Sequence, residues 1–199
     1  MNETEINENL LLQPVNMLNL YAQGAFPMAE ANGEINWYQP KERAVILMEE
    51  YNIPRSLKKF MKTTDFTYNF DINTEAVISG CANRKETWIS DKLIDAYKRL
   101  IDLGYLHSVE VYQKNKLVGG LYGISIGGAF FGESMFSKVS QASKTALAVL
   151  LKYLEKRCFT ILDVQFETDH LNMFGVKIVE FEEYKKLLDK AFINNISFI

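Results

Sequence analysis

Apolar positions recur with a helical period most plainly at Leu93, Ile94, Tyr97, Leu100 and Ile101. They share one face of a predicted helix that Ser90 caps and Gly104 ends. The same period predicts a helix through Met17, Leu18, Leu20 and Tyr21, capped by Asn16 and stopped by Gly24. Others are predicted through Leu57, Phe60 and Met61 behind Pro54, and through Ala76, Val77 and Ile78 after Asn73 or Thr74. Two more follow, one from about Ser143 with Ala146, Leu147, Leu150, Leu151 and Leu154 inward, and a last one over Phe181–Phe192.

Elsewhere the pattern is that of strands. Ala44–Met48, Phe66–Phe70 and Thr160–Phe166 read as strands. Ser108–Tyr112, Leu117–Tyr122 and Ala129–Phe131, with turns at Lys114-Asn115 and Gly127-Gly128, read as a three-stranded antiparallel meander. Near the start, Ala25-Phe26-Pro27 turns the chain, and Asn32-Gly33 is a hairpin turn leading into Ile35–Tyr38. Pro40-Lys41-Glu42 is the most plausible hinge, so residues 1–41 are expected to form a small N-terminal domain before a main domain over 42–199. Helices mixed with a meander predict an α+β fold with a central, mostly antiparallel sheet.

Composition narrows the function classes. The chain has 199 residues, with 22 Lys+Arg against 25 Asp+Glu and a net charge of −3. That length supports a full core. The acidic balance argues against coating nucleic acid through bulk positive charge, and leaves a local basic patch open. Cys81 and Cys158 are too few for a disulfide framework or a metal cluster, and read as two reduced, mostly buried thiols. The acidic start, Met1–Glu5, lacks the basic residues and apolar run of a signal peptide, and no apolar run reaches a membrane span. A soluble, cytoplasmic protein is expected, with no membrane partner.

Candidate chemistry is sparse. Gly119-Gly120 and Gly127-Gly128 lack the spacing of a dinucleotide or Walker loop. His107 and His170 are the only histidines; nothing pairs them with an activated serine, and no zinc spacing is present. Three features stand out. Glu133, in Gly132–Ser137, is a lone carboxylate at the end of an apolar strand: either an ordinary loop glutamate bonded to backbone, or a fixed counter-charge for a cationic substrate group. Asp163 and Gln165 are two apart in a strand and should share a face, as a buried pair that pins the strand or as the polar floor of a cleft. Trp88, after Arg84-Lys85 and before the Ser90 cap, either packs the start of that helix or stacks a base near a phosphate.

Together these segments resemble the leucyl/phenylalanyl-tRNA–protein transferase family. The resemblance runs from Tyr21–Pro27 through Trp37-Tyr38, Pro40 and Arg43-Ala44-Val45, then Cys81-Ala82, Thr87-Trp88-Ile89 and His107–Val111. It is densest over Leu117–Gly123, Glu133–Ser137 and Ala142–Leu147, and closes with Asp163-Val164-Gln165 and Asp169-His170-Leu171. The resemblance implies a GNAT-like acyltransferase fold behind a small N-terminal domain. It implies transfer of Leu or Phe from aminoacyl-tRNA to proteins with an N-terminal Arg or Lys, marking them for degradation. Glu133 would hold the acceptor's basic side chain, and Asp163 and Gln165 would sit at the reacting centre. Trp88 would lie near the terminal adenosine, and Leu121, Met135, Leu147, Leu154 and Leu162 would line the pocket for the donated side chain. The aminoacyl ester is already activated, so neither ATP, cofactor nor metal is implied, and a monomer is expected.

The chain departs from the family in three places. Leu10–Pro14 replaces a Gly-Gly-Asp-Leu segment, Met28 stands where the family has Trp, and Met173-Phe174 replaces a Ser-Leu pair. A tRNA partner requires local positive charge on this acidic chain. Arg55, Lys58, Lys59 and Lys62 on one predicted helix, with Arg84, are the candidates, against the alternative of a solvated helix face. An acyl-CoA N-acetyltransferase on the same fold is a rival reading. It would want a glycine-bearing loop opening a helix, and Val139–Ser143 has no glycine. A second rival is a non-enzymatic adaptor that captures basic N-termini through Glu133.

Overall fold

A computed structural model describes residues 8–193 and 196–199. Helix α1 (Pro14–Ala22) leads into a hairpin of β1 (Phe26–Ala29) and β2 (Ile35–Tyr38). Strand β3 (Glu42–Leu47), α2 (Arg55–Thr63), β4 (Thr67–Phe70), α3 (Thr74–Ala82) and α4 (Asp91–Asp102) follow. The meander is β5 (Leu106–Gln113), β6 (Lys116–Ile126) and β7 (Ala129–Ser137). Helix α5 (Ala142–Lys156), β8 (Ile161–Gln165), α6 (Asp169–Asn172), β9 (Lys177–Glu180) and α7 (Phe181–Phe192) complete the chain.

Seven strands form one sheet in the order β4-β5-β6-β7-β8-β3-β9. Every pairing is antiparallel except β7 with β8. A parallel pair cannot be joined by a tight turn, and here α5 makes the crossover. The fold is therefore α+β with a large, mostly antiparallel sheet. Two apolar clusters form the core. One holds Met17, Tyr21 and Phe26 of the N-terminal segment with Ile78, Leu93 and Tyr97 from α3 and α4. The other packs α5, through Ala146, Leu147, Leu150 and Leu154, with Leu57 of α2.

Local chemistry explains the boundaries. Ser90 Oγ accepts from the Leu93 N–H at 3.4 Å, and Gly104, at φ 73°, ends α4 in the left-handed region that glycine tolerates. Gly119 serves close approach instead: a Cβ there would lie 2.5 Å from the Ala142 Cβ, so its absence lets the start of α5 sit down on β6.

Several expectations need correction. Asn16 does not cap α1, because Pro14, with its φ preset and no N–H to satisfy, starts the helix earlier and leaves Gln13 at the cap position. The segment at Phe26-Pro27 is the start of a strand rather than a turn, paired Phe26↔Tyr38 and Pro27↔Trp37 in a two-stranded hairpin where proline is tolerated. Strand β9 and the short helix α6 carry no periodic pattern and were not expected. Cys81 is buried, but Cys158 is exposed: it follows the Arg157 cap of α5 in a left-handed conformation (φ 62°) on the surface. Among the described residues no helix is long and apolar enough to cross a membrane.

Candidate active site

The site is built where the parallel pair comes apart. Strands β7 and β8 are paired only from Ala129↔Ile161 to Phe131↔Asp163, although β7 continues to Ser137 and β8 to Gln165. Both strands slip register against their other neighbours at this point. Against β6, Gly132 faces Gly123 and Ser134 faces Tyr122, so Glu133 is an extra residue. Against β3, Asp163 faces Val45 and Gln165 faces Ala44, so Val164 is the extra residue. Such bulges bend a strand and re-aim its side chains. Gln165 adopts φ 65° here.

A cavity of about 480 Å³ lies at this parting. Leu121, Met135, Leu147, Leu150 and Leu162 form an apolar wall, with α5 contributing two of them. Glu133, Gln165, Tyr122 and Arg84 supply polar groups, and Glu133 is the one carboxylate among the lining residues. Half-buried Met28 and Trp88 and the more exposed Phe166 also line it. The Ala29 N–H donates to the Trp88 carbonyl at 3.1 Å, which ties the β1 hairpin to the Trp88 segment.

Glu133 is buried and held on both sides. The Tyr97 hydroxyl donates to Oε2 at 2.8 Å, and the Gln165 amide Nε2 donates to Oε1 at 3.2 Å. Burial pushes the Glu133 carboxyl up to about 7; the bond from Tyr97, the nearby Tyr21 hydroxyl and the charge of Arg43 oppose the shift, and Asp163 adds to it. Burial, and next the Glu133 charge, keep the Tyr21, Tyr97 and Tyr122 phenols well above their ordinary range.

Asp163 does different work. It is fully buried and is not among the cavity-lining residues. Arg43 grips it through Nε at 2.9 Å from Oδ1 and Nη2 at 2.7 Å from Oδ2. Tyr184 donates its hydroxyl to Oδ2 at 2.6 Å, and the Gln165 backbone N–H donates to Oδ1 at 2.8 Å. The Arg43 guanidinium lies 4.4 Å from the Phe26 ring centroid and 5.1 Å from that of Tyr184. The carboxylate thus pins the bulge whose far end presents Gln165. An unbroken pleat would have aimed positions 163 and 165 alike; with the bulge between them, the two side chains go to different partners.

The family model for leucyl/phenylalanyl-tRNA protein transferase matches residues 45–189, and the model for the N-terminal domain of such transferases matches residues 11–41. The chain belongs to the leucyl/phenylalanyl-tRNA protein transferase family. Relatives carrying that name include one from Gloeobacter violaceus, 44% identical over 181 residues that cover 90% of this chain and 94% of the relative. One from Maricaulis maris is 42% identical over 188 residues, covering 92% and 87%. One from Salinibacter ruber is 41% identical over 181 residues, covering 90% and 80%.

The candidate residues read from the sequence do not all fall in the cavity. Trp88, Leu121, Glu133, Met135, Leu147, Leu162 and Gln165 all line the cavity. Leu154 does not: it is fully buried one turn beyond Leu150, inside the core between α5 and the sheet. Arg84 lines the cavity and is anchored there, with Nε donating to the Cys81 carbonyl at 2.7 Å and Nη2 to Ser134 Oγ at 3.0 Å. Arg55, Lys58, Lys59 and Lys62 stand apart from it, exposed on α2 while Leu57 on the same helix is buried. His107 lies elsewhere, bonded to Asp71 and stacked on Phe198. Arg43, Tyr184, Tyr97, Tyr21 and Tyr122 had no assigned role. For Arg43 a signal existed, since an arginine that directly precedes the apolar run Ala44–Leu47 in the same strand must, if buried, find a partner there.

Proposed function

We propose that this protein transfers leucine or phenylalanine from aminoacyl-tRNA to the α-amine of proteins whose N-terminal residue is Arg or Lys, marking them for degradation in the cytoplasm. The observation that carries this reading is the single carboxylate, Glu133, bulged into a cavity whose other wall is apolar. A cationic side chain of the acceptor finds its counter-charge there, and an apolar side chain of the donor finds the leucine wall. The parting of a parallel strand pair joined by a helical crossover also supports a GNAT-like catalytic domain over 42–199, with residues 1–41 as a small N-terminal domain.

The chemistry asks little of the protein. The aminoacyl ester is activated, and an α-amine with an ordinary pKa of about 7.7–8.0 is partly neutral at neutral pH. Alignment of the two then supplies much of the rate. The Gln165 amide gives its N–H to Glu133, which leaves its oxygen to accept an N–H of the attacking amine. Asp163 orients Gln165 through the backbone of the bulge, and because Arg43 neutralises it, it acts as a positioning residue rather than as a base. Leu121, Met135, Leu147 and Leu162 receive an unbranched apolar donor side chain, and Trp88 lies where the terminal adenosine would stack. Arg84 and the α2 cluster of Arg55, Lys58, Lys59 and Lys62 meet the tRNA, and the protein acts as a monomer.

The test is direct. The protein is incubated with Leu-tRNA, Phe-tRNA or Met-tRNA and an Arg-starting peptide, and the product is weighed by mass spectrometry. Addition of Leu or Phe is the expected result. Acetyl-CoA turnover without tRNA, or peptide binding with no transfer from any charged tRNA, would overturn it in favour of an N-acetyltransferase or an adaptor.

A further inference from the structure

Beyond Phe131↔Asp163 the two parted strands become two lips of the cavity. On the β7 lip, Ser134, Met135, Phe136 and Ser137 line the opening. Arg84 is anchored to that lip, with Nη2 donating to Ser134 Oγ at 3.0 Å and to the Met135 carbonyl at 3.2 Å. On the other lip, the chain that leaves β8 contributes Phe166, Thr168 and His170 to the lining, and ends at Leu171, buried in the apolar cluster of α5. The Leu171 and Asn172 N–H groups both donate to the Thr168 carbonyl, at 2.9 and 3.0 Å, which holds this second lip in shape.

Phe166 is the aromatic residue of the β8 lip. It lines the cavity and is nevertheless 49% exposed. Its ring is packed edge-on against the buried Phe26 ring, 5.5 Å between centroids and 84° between planes, and Phe26 itself carries the Arg43 guanidinium at 4.4 Å. The Phe166 N–H donates to the Val164 carbonyl at 2.7 Å, closing a three-residue turn about Gln165 at φ 65°. The turn and the Phe26 seat both fix the ring before any ligand arrives. A preorganised apolar ring that is half open to water gains from any apolar group that covers it.

Two chains must leave the cavity when both substrates are bound: the ribose and RNA of the donor, and the main chain of the acceptor. On the transferase reading the donor takes Trp88 and Arg84, the cation fixed to the β7 lip. Gln165, which meets the acceptor's amine, stands at the end of β8 directly before Phe166. The acceptor's second Cα lies about 3.8 Å from its first, the same step that separates Phe166 from Gln165. The β8 lip is therefore the acceptor's way out, and the acceptor's second side chain is the one that comes level with the Phe166 ring.

We propose that Phe166 forms the subsite for the second residue of the acceptor and favours an apolar or aromatic side chain there. This rests on the transferase reading above. The first residue is selected by charge at Glu133. The second is selected by burial against one half-exposed ring, so the preference is graded rather than absolute.

Two peptides that differ only at the second position, one starting Arg-Phe and one starting Arg-Ala, test this by competing for Leu-tRNA in one reaction. The wild type is expected to favour the Arg-Phe peptide by about 10-fold in kcat/KM. Phe166→Ala should bring the ratio close to one, and Phe166→Trp should hold it at or above the wild-type value. Both peptides meet the same enzyme in the same tube, so the ratio does not depend on how much of a variant is folded. A wild-type ratio of one, or a ratio that Phe166→Ala leaves unmoved, would overturn the assignment. So would a variant whose only change is a higher KM for aminoacyl-tRNA, which would put the ring under the terminal nucleoside instead. The same wild-type reaction separates the two claims. Transfer to both peptides at one rate sinks only the subsite, and no transfer to either sinks the transferase reading itself.

Discussion

Arg43 and Asp163, 120 positions apart in the chain, form a fully buried bidentate pair between β3 and β8. Neither side chain lines the cavity, yet the pair sets the backbone from which Gln165 projects. Removing one partner leaves an uncompensated buried charge. Asp163→Ala or Asp163→Asn is therefore expected to destabilise the fold by about 3–5 kcal/mol, and not merely to abolish transfer. Replacing both, as Arg43→Met with Asp163→Leu, should be far less destabilising than the sum of the single changes. Urea denaturation of the four proteins measures this.

Glu133 predicts a pH dependence of stability with a definite sign. Its carboxyl titrates near 7 in the folded protein and near the ordinary carboxylate value, about 4.3, when unfolded. Between those values the folded state binds more protons than the unfolded state, so stability must fall as pH rises through this window. The loss is on the order of 4 kcal/mol for the isolated group. Glu133→Gln removes the titration, so the wild type should lose stability relative to the variant between pH 5 and about pH 8. Denaturation midpoints across that range report it. The same linkage requires proton release when a cationic N-terminus binds, which calorimetry in buffers of different ionisation enthalpy detects.

Periodicity made the scaffold legible and left the site half-read. The α4 face, the meander and α7 follow from spacing, because each buries one face of a regular element. Glu133, Asp163 and Gln165 were legible as polar groups in apolar strands. Their division of labour was not, because it depends on two one-residue register slips, and a bulge leaves no pattern in the residues on either side. Leu154 shows the converse error. It shares the inward stripe of α5 with Leu147 and Leu150, but the cavity ends before its turn, and periodicity does not say where along a stripe a core gives way to a cavity. The Tyr97 and Tyr184 hydroxyls escaped notice because a tyrosine in an apolar stripe looks like core until its tip finds a partner.

The leucine wall predicts donor selectivity. Leu147→Phe narrows the cavity from α5 and should reduce transfer of Phe more than transfer of Leu, changing the ratio of their kcat/KM values by roughly 10-fold. Leu154→Ala is the matched control. It should destabilise the fold by about 2–5 kcal/mol through the void it leaves, and leave the donor ratio as it was. Competition between Leu-tRNA and Phe-tRNA in one reaction reads both ratios.

The basic face of α2 is a local concentration of positive charge on a chain with net charge −3. Arg55, Lys58, Lys59 and Lys62 are exposed on a helix whose Leu57 is buried, and none of them lines the cavity. If they meet the phosphates of the tRNA body, the triple variant Lys58→Glu, Lys59→Glu, Lys62→Glu should raise KM for aminoacyl-tRNA while kcat holds. The slope of log KM against log salt should also flatten, by about one for each phosphate that the variant no longer neutralises. A minimal donor, an aminoacyl ester of adenosine that lacks the tRNA body, reaches only the cavity, so the same variant should use it as well as the wild type does. A variant that loses activity equally on both donors would instead place these lysines in the folding of α2 against α5, and the RNA would have to be held at Arg84 and the cavity rim alone.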